Sequence, residues 1–374
     1  MEIQIHLSRP DITDADIQAV VEVLRSPNLS LGPKVGEFEK AFADRLGRKH
    51  AIAVNSGTSG LFLCVSALGI GPGDEVITTP FTFIASSNPI LMAGAKPVFV
   101  DIGSNTLNID PGLIESKINS KTRAVLPVEI FGSPAGFDRI SQIAARHDLP
   151  VIEDSCEALG SSLNGKPAGT FGAVSVFGFY PNKQITTGEG GMILTDDETL
   201  AQRCISLRNQ GRSRMGGWLA HERLGYNFRL SDINCALGIA QLSRIDQIKT
   251  KRRQVAAWYR EMLVDEDRLI VPTEPKGCEI NWFVYVVRLT QDFTAAQRND
   301  ILDRMMARGI QVSNYFPPVH LQPFMVERFG FAKGDFPVTE SVSERTIALP
   351  FYNNLAKDDV AVVCRTLKEV LDSL

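Results

Sequence analysis

A regular alternation of short apolar runs with helical patterns between residues 51 and 152 constrains the fold more than any other feature. Runs at 51–54, 75–78, 97–100, 124–127 and 150–152 have the length of strands and are bounded by turn residues. Helical spacing of apolar residues separates them at 61–68, 85–93 and 137–147. Consecutive strands that run the same way need a crossover between them, so the alternation implies βαβ units. The expected architecture is α/β: a three-layer α/β/α domain around a mainly parallel, mixed sheet. Ligands of such sheets bind beyond the carboxyl ends of the strands.

The flanking segments extend this picture. Thr13-Asp-Ala-Asp16 has the form of a capping box ahead of Ile17, Val20, Val21 and Leu24 at helical spacing. Residues 35–46 form a second amphipathic pattern, stopped by Gly47. After residue 170 the pattern changes. Strands at 173–179 and 191–195 are joined by a polar, Gly-rich turn, which predicts a local antiparallel excursion. Residues 231–264 read as helix for longer than one globular helix usually runs, so a break is expected near 243–250. The remainder, with strands near 282–289 and 310–315 and helices near 295–308 and 357–372, reads as a smaller α+β unit. The expected division is a large domain at 1–245 and a small C-terminal domain at 246–374.

Composition narrows the function. The 374 residues carry 39 Lys+Arg against 43 Asp+Glu, a net charge of −4, which disfavours a general nucleic-acid binder while allowing a local anion site. Six scattered cysteines (64, 156, 204, 235, 278 and 364) contain no C-x-x-C pair. A metal cluster and a disulfide scaffold are therefore not expected, and reduced thiols in a cytoplasm fit best. No apolar stretch reaches the ~20 residues that span a bilayer.

Three segments carry chemistry. Val54-Asn-Ser-Gly-Thr-Ser-Gly60 lies between a strand and a helix. Free amides at a helix start, glycines and hydroxyls there form a phosphate cradle, although an ordinary Gly/Ser turn with an N-cap reads the same way. The segment matches neither G-x-G-x-x-G nor the Walker A loop. Val151-Ile-Glu-Asp154 ends a buried strand with an acid, which can hold a proton on a heterocyclic nitrogen or cap a helix. No His lies nearby to suggest a metal. Phe179-Tyr-Pro-Asn-Lys-Gln-Ile-Thr-Thr-Gly-Glu-Gly-Gly191 places Lys183 in a turn after a strand. A lysine in a turn is usually a solvated charge. Here the cradle, the acid and the lysine would project to one rim of one sheet, and that trio suits pyridoxal phosphate. Pro80-Phe-Thr-Phe-Ile84 follows another strand and offers an aromatic to stack on a ring, or simply core. Arg208, Arg212, Arg214, Arg223 and Arg229, with His221, stand against a single acid between 206 and 229. Arginines so grouped suit phosphate, carboxylate or subunit contact, or a solvated loop.

These residues together resemble the DegT-type, pyridoxal-phosphate-dependent nucleotide-sugar aminotransferases, which have the aspartate aminotransferase fold (fold type I). The likeness runs along nearly the whole chain. It includes Gly71-Pro-Gly-Asp-Glu-Val76, Pro97-Val-Phe-Val-Asp101, Asn182-Lys183 with Thr187-Gly-Glu-Gly-Gly191, Gly225-Tyr-Asn-Phe-Arg229, and Tyr315 followed five residues on by His320. The resemblance implies Lys183 as the Schiff-base lysine and Asp154 as partner of the pyridine nitrogen. It implies Gly57 and Thr58 at the phosphate, Phe83 on the ring, and Asn227 reaching the phosphate of a neighbouring subunit in a homodimer. Glu157 stands where the family commonly has Gln, His or Glu near the phenolic oxygen, and a Glu there is similar to enzymes of the GDP-perosamine synthase type. Gly178 departs from the family's usual Ser, whose hydroxyl touches the phosphate. For the substrate, His320 and Tyr315 are expected at the sugar, with the residues around Lys34 and Arg229 near its anionic part. The implied reaction moves an amino group from L-glutamate to a keto group, at C4 rather than C3, of a nucleotide-linked deoxysugar. An amino-acid aminotransferase of the same fold and a non-catalytic cofactor-binding regulator are the alternatives.

Overall fold

The computed structural model describes residues 3–213 and 220–374. The first helices are α1 (Asp14–Leu24) and α2 (Pro33–Leu46). The expected capping box of α1 is present: the Thr13 hydroxyl accepts from the Asp16 amide and Asp16 Oδ2 accepts from the Thr13 amide. The face that α1 buries differs from the apolar spacing. Asp16 and Val23 are buried, while Ile17 and Leu24 are 54% and 55% exposed. The reason is polar: Asp16 Oδ2 also accepts from Gln241 Nε2 and Arg244 Nη2, which turns its side of the helix inward.

The alternating region then unfolds in chain order as β1 (His50–Val54), α3 (Gly57–Ala67), β2 (Glu75–Thr78), a short α4 (Asn88–Met92) and β3 (Lys96–Phe99). After α5 (Pro111–Ile114) come β4 (Thr122–Val125), α6 (Phe137–Arg146) and β5 (Ile152–Asp154). The helix expected at 85–93 is divided into a 3-10 turn, Ile84–Ser86, and α4, because Pro89 lacks the amide that would continue the first turn. A small hairpin, β6 (Ser162–Leu163) and β7 (Lys166–Pro167), precedes β8 (Val174–Gly178), β9 (Gly191–Thr195) and α7 (Glu198–Arg208).

β2 pairs in parallel with β3 and β4, and β5 pairs in parallel with β8. Parallel bridges at Val125–Val151 and Val128–Asp154 join the two groups. The strand order is therefore β3-β2-β4-β5-β8-β9-β1. β9 is antiparallel to both of its neighbours, which is the excursion expected after residue 170. Alternate residues face opposite layers. Ile52, Val76, Ile152, Val176 and Ile193 pack with α3 and α7, whereas Ala53, Phe177 and Met192 pack with α2 and Ile77, Val125 and Val151 with α6. Burial on both faces is the three-layer arrangement.

The long helical stretch divides into α8 (Asp232–Ser243) and α9 (Ile245–Leu263), with Arg244 at φ −103° and ψ 9° between them. From here β10 (Leu269–Ile270), β11 (Cys278–Glu279), β12 (Tyr285–Leu289), α10 (Ala295–Ala307), α11 (Pro323–Phe329), α12 (Pro337–Ser343), β13 (Thr346–Leu349) and α13 (Lys357–Asp372) complete the chain. β10, β12 and β13 form an antiparallel sheet packed against α9, α10 and α13. The strand expected at 310–315 is reduced to single bridges, Ile310 to Ile5 and Ser313 to Ala348. Ile5 belongs to the core of this second unit and Leu7 accepts from the Phe351 amide, so the first residues pack with the C-terminal part rather than with the large sheet. No helix among the described residues is long and apolar enough to cross a membrane.

Candidate active site

The carboxyl ends of β1, β5 and β8 open onto one cavity of about 700 Å³. Gly57, Thr58, Phe83, Asp154, Glu157, Gly178, Lys183 and Tyr315, all named from the sequence, line it. Asp154 and Gly178 end β5 and β8, and Gly57 and Thr58 open α3 just after β1. Phe83, Glu157 and Lys183 lie on the connections that follow β2, β5 and β8, so the sheet holds the main chain of all seven at its carboxyl rim, while Tyr315 comes from the second unit.

At one end stands α3. Ser56 caps it by accepting from the Ser59 amide, and the amides of Gly57 and Thr58 have no acceptor among the described residues. Two free amides at a helix start make an anion site. The wall opposite is built close. A Cβ on Gly57 would lie 2.8 Å from Cys156 Sγ, and one on Gly178 would lie 3.3 Å from the same sulfur. A Cβ on Gly191 would meet the Ser56 carbonyl at 2.8 Å, which accounts for the glycine that opens β9. Burial and then the Asp154 charge push the Cys156 thiol well above its usual range, so it is a neutral wall.

Asp154 is almost fully buried. Its Oδ2 accepts from Ser86 Oγ at 2.7 Å, Ser86 in turn meets Thr82 Oγ1 at 2.8 Å, and Oδ1 accepts from the Cys156 amide at 3.2 Å. Lys183 Nζ lies 3.4 Å from Glu157 Oε1 and 4.0 Å from the centre of the Phe283 ring. Glu157 is fixed at its other oxygen by the Phe131 amide at 2.8 Å. Burial raises its carboxyl, and the Lys183 charge opposes that rise. Phe83 is 60% exposed, an unusual position for a phenylalanine and one that leaves a face open to a ring. Burial, followed by the Glu157 charge, raises the Tyr315 phenol, while Asn182 bonds to it and pulls the other way.

Other sequence expectations fall elsewhere. Asn227 is exposed and outside this cavity. Lys34 pairs with Glu37 at 2.6 Å, and Arg229 donates to Asn209 Oδ1 and Gln210 Oε1. Neither lines the cavity. Arg208 is committed inside the fold to Glu39 and the Ala53 carbonyl, and Arg223 pairs with Glu222. Arg214 lies outside the described residues. His320 is a correction. It is 0% exposed, its Nε2 sits 3.0 Å from Glu340 Oε1, and Phe331 and Phe336 pack on its ring, so no substrate reaches it.

The structure also adds residues that sequence reasoning missed. Thr82 lies in the segment noted for its aromatics and Ser86 two residues beyond it; Ser86 reaches Asp154 by a long-range contact and Thr82 acts through Ser86. Phe283 comes from the second unit, 100 residues after Lys183, with no local signal.

A buried acid, an amine and a helix N-terminus around one cavity define a site of the pyridoxal-phosphate type, and the small-residue cradle leaves room for the phosphate. The chain matches the DegT/DnrJ/EryC1/StrS aminotransferase family model over residues 10–368. It is 39% identical over 347 residues to GDP-perosamine synthase of Caulobacter vibrioides, covering 91% of each chain. It is 38% identical over 374 residues to the spore coat polysaccharide biosynthesis protein SpsC of Bacillus subtilis, covering 97% of this chain and 96% of that one. The PLP form of Spr1654, a putative sugar aminotransferase from Streptococcus pneumoniae, superposes with a TM-score of 0.93 at 28% identity, covering 100% of this chain and 99% of that one. The chain belongs to the DegT/DnrJ/EryC1/StrS aminotransferase family and is a pyridoxal-phosphate-dependent sugar aminotransferase.

Proposed function

We propose that this enzyme moves an amino group from L-glutamate to the 4-keto group of a nucleotide-linked deoxysugar, with Lys183 carrying the proton transfers. The convergence of Asp154, Lys183 and the start of α3 on one cavity carries the reading. Bound pyridoxal phosphate supplies an electrophilic carbon and an electron sink for breaking a C–H bond beside nitrogen. The chain supplies the rest. The free amides of Gly57 and Thr58 would hold the phosphate, and the buried Asp154 carboxylate would keep a proton on the ring nitrogen. The exposed ring of Phe83 would cover one face of the cofactor. Lys183 would hold the cofactor through Nζ and, as a free amine, would take up and return the proton at that nitrogen. Glu157 would orient that amine and receive hydrogen bonding from the cofactor's phenolic side. Tyr315, beside Asn182 on the rim, would contact the sugar.

A homodimer with shared sites completes this reading. Asn227 is exposed and does not line its own cavity, and Ile12, Ile17, Leu24, Leu29 and Leu31 leave apolar surface along residues 12–31. Lys34 and Arg229 would then serve the partner's substrate rather than their own. The name of the Caulobacter relative supports a nucleotide carrier, and turnover of keto-sugars linked to dTDP, UDP and GDP would identify which one.

Lys183→Ala tests the core of the proposal. Transamination should fall by about 10³-fold or more while the circular dichroism melt is retained. The yellow wild-type enzyme should bleach with L-glutamate and the variant should not. Turnover by the variant at the wild-type rate would remove Lys183 from the mechanism.

A further inference from the structure

Arg252, on α9, is 3% exposed and has no carboxylate in salt-bridge contact among the described residues. A buried guanidinium with no carboxylate in contact is costly, and here burial lowers its pKa to about 10, the more distant Asp11 charge opposing the shift. It is held instead by main-chain carbonyls. Nη1 donates to Trp282 O and Phe283 O, each at 3.0 Å, and Nη2 donates to Lys183 O at 3.2 Å. The Phe351 ring lies 5.5 Å beneath the guanidinium.

Those three carbonyls come from two distant segments, and their meeting point has a consequence at the amine. The Phe283 ring is the one 4.0 Å from Lys183 Nζ. Arg252 therefore grips the main chain of the lysine and the main chain of its aromatic neighbour at once. Gln184 makes a parallel tie through Nε2, which donates to Glu157 O and to Asn281 O. Lys183 and Gln184 are in this way bound to residues 281–283 of the second unit, with Glu157 closing the far side of the amine.

We infer that Arg252 is a positioning residue for Lys183: its carbonyl fork fixes where the amine lies between Phe283 and Glu157, and so couples the small unit to the reacting nitrogen. This rests on the reading of Lys183 as the cofactor-bearing lysine. The planar fork matters because one ammonium cannot span the same three carbonyls. A displaced amine reacts more slowly, since small misplacements of a reacting group are expensive in rate.

The experiment follows covalent capture rather than turnover. Apoprotein is mixed with pyridoxal phosphate, reduced with borohydride at timed intervals and mapped by mass spectrometry, with thermal melting in parallel. Wild type should be modified at Lys183. R252M should be modified there on the order of tenfold more slowly, with R252K between the two. F283L, which keeps every Arg252 bond, should slow capture without changing the melt greatly. R252K serves where R252M does not fold. Capture at Lys183 at the wild-type rate in a folded R252M or R252K would overturn the positioning role and leave Lys183 as the anchor. Wild type modified elsewhere would instead overturn the assignment of Lys183, and the inference with it.

Discussion

Cys156 and Gly178 stand against each other in the cavity wall, and neither is intelligible alone. The sulfur stands 3.3 Å from where a side chain at 178 would begin, and 2.8 Å from one at 57. A hydroxymethyl group at 178 would press on that thiol, which would have to give by a few tenths of an ångström. Gly178 is thus the counterpart of a larger residue at 156. The expectation is non-additivity: G178S should bind pyridoxal phosphate better in a C156A background than in the wild type, with a coupling of about 0.5–3 kcal/mol. Titrating the four apoproteins with the cofactor measures it, and strictly additive affinities would show that the two positions do not compete. Among the residues lining the cavity, Lys183, Asp154, Gly57, Thr58 and Phe83 were legible because each belongs to a local motif near a strand end, whereas Glu157 came only from the resemblance. Cys156 was not, since its role depends on a contact with residues 99 and 22 positions away. His320 misled for the same reason. Its motif was visible, but the aromatic cluster and Glu340 that seal it were not.

The elements behave similarly. Capping and period identify α1, α2, α6 and α10 nearly to the residue, because the signals lie within the helix itself. The break between α8 and α9 was expected from length alone, and its exact place follows from Arg244. That side chain reaches Asp16 Oδ2 at 2.7 Å and the Asp11 carbonyl at 2.9 Å, tying the junction to α1. Asp16 is 0% exposed and also accepts from Gln241 and from the N-cap. Asp16→Ala removes the side-chain half of the capping box, leaving the Thr13 hydroxyl on the backbone amide, and leaves Arg244 without its nearest carboxylate. The unfolding free energy should fall by about 3 kcal/mol, the lower end for a broken buried pair, because Asp11 still stands 3.7 Å away. Urea denaturation gives the number. A loss below about 0.5 kcal/mol, the range of an ordinary surface substitution, would mean that the junction is held by packing instead.

At the scale of the molecule, the proposed shared site makes a prediction that no single chain can satisfy. Mixed dimers of K183A and N227A contain one site with both residues intact. Co-refolding the two inactive variants in equal amounts should restore about a quarter of wild-type activity, as random pairing in a two-fold dimer requires. If the mixture stays as inactive as its parents, Asn227 does not act across subunits. The sequence by itself determined the alternating α/β scheme and the antiparallel excursion at β9, and its resemblance to the family pointed to the cofactor and to most of the residues that line the cavity. The fold properties follow from period, caps and turn chemistry, which are local, and the site residues from motifs that resemble the family's. Only the tertiary structure decided that residues 3–7 join the C-terminal unit, that α1 turns Asp16 rather than Ile17 inward, that His320 is sealed, and that Phe283 and Arg252 close on Lys183. These outcomes depend on which distant segments pack together, and a buried charge or ring declares its partner only when the chain has folded around it.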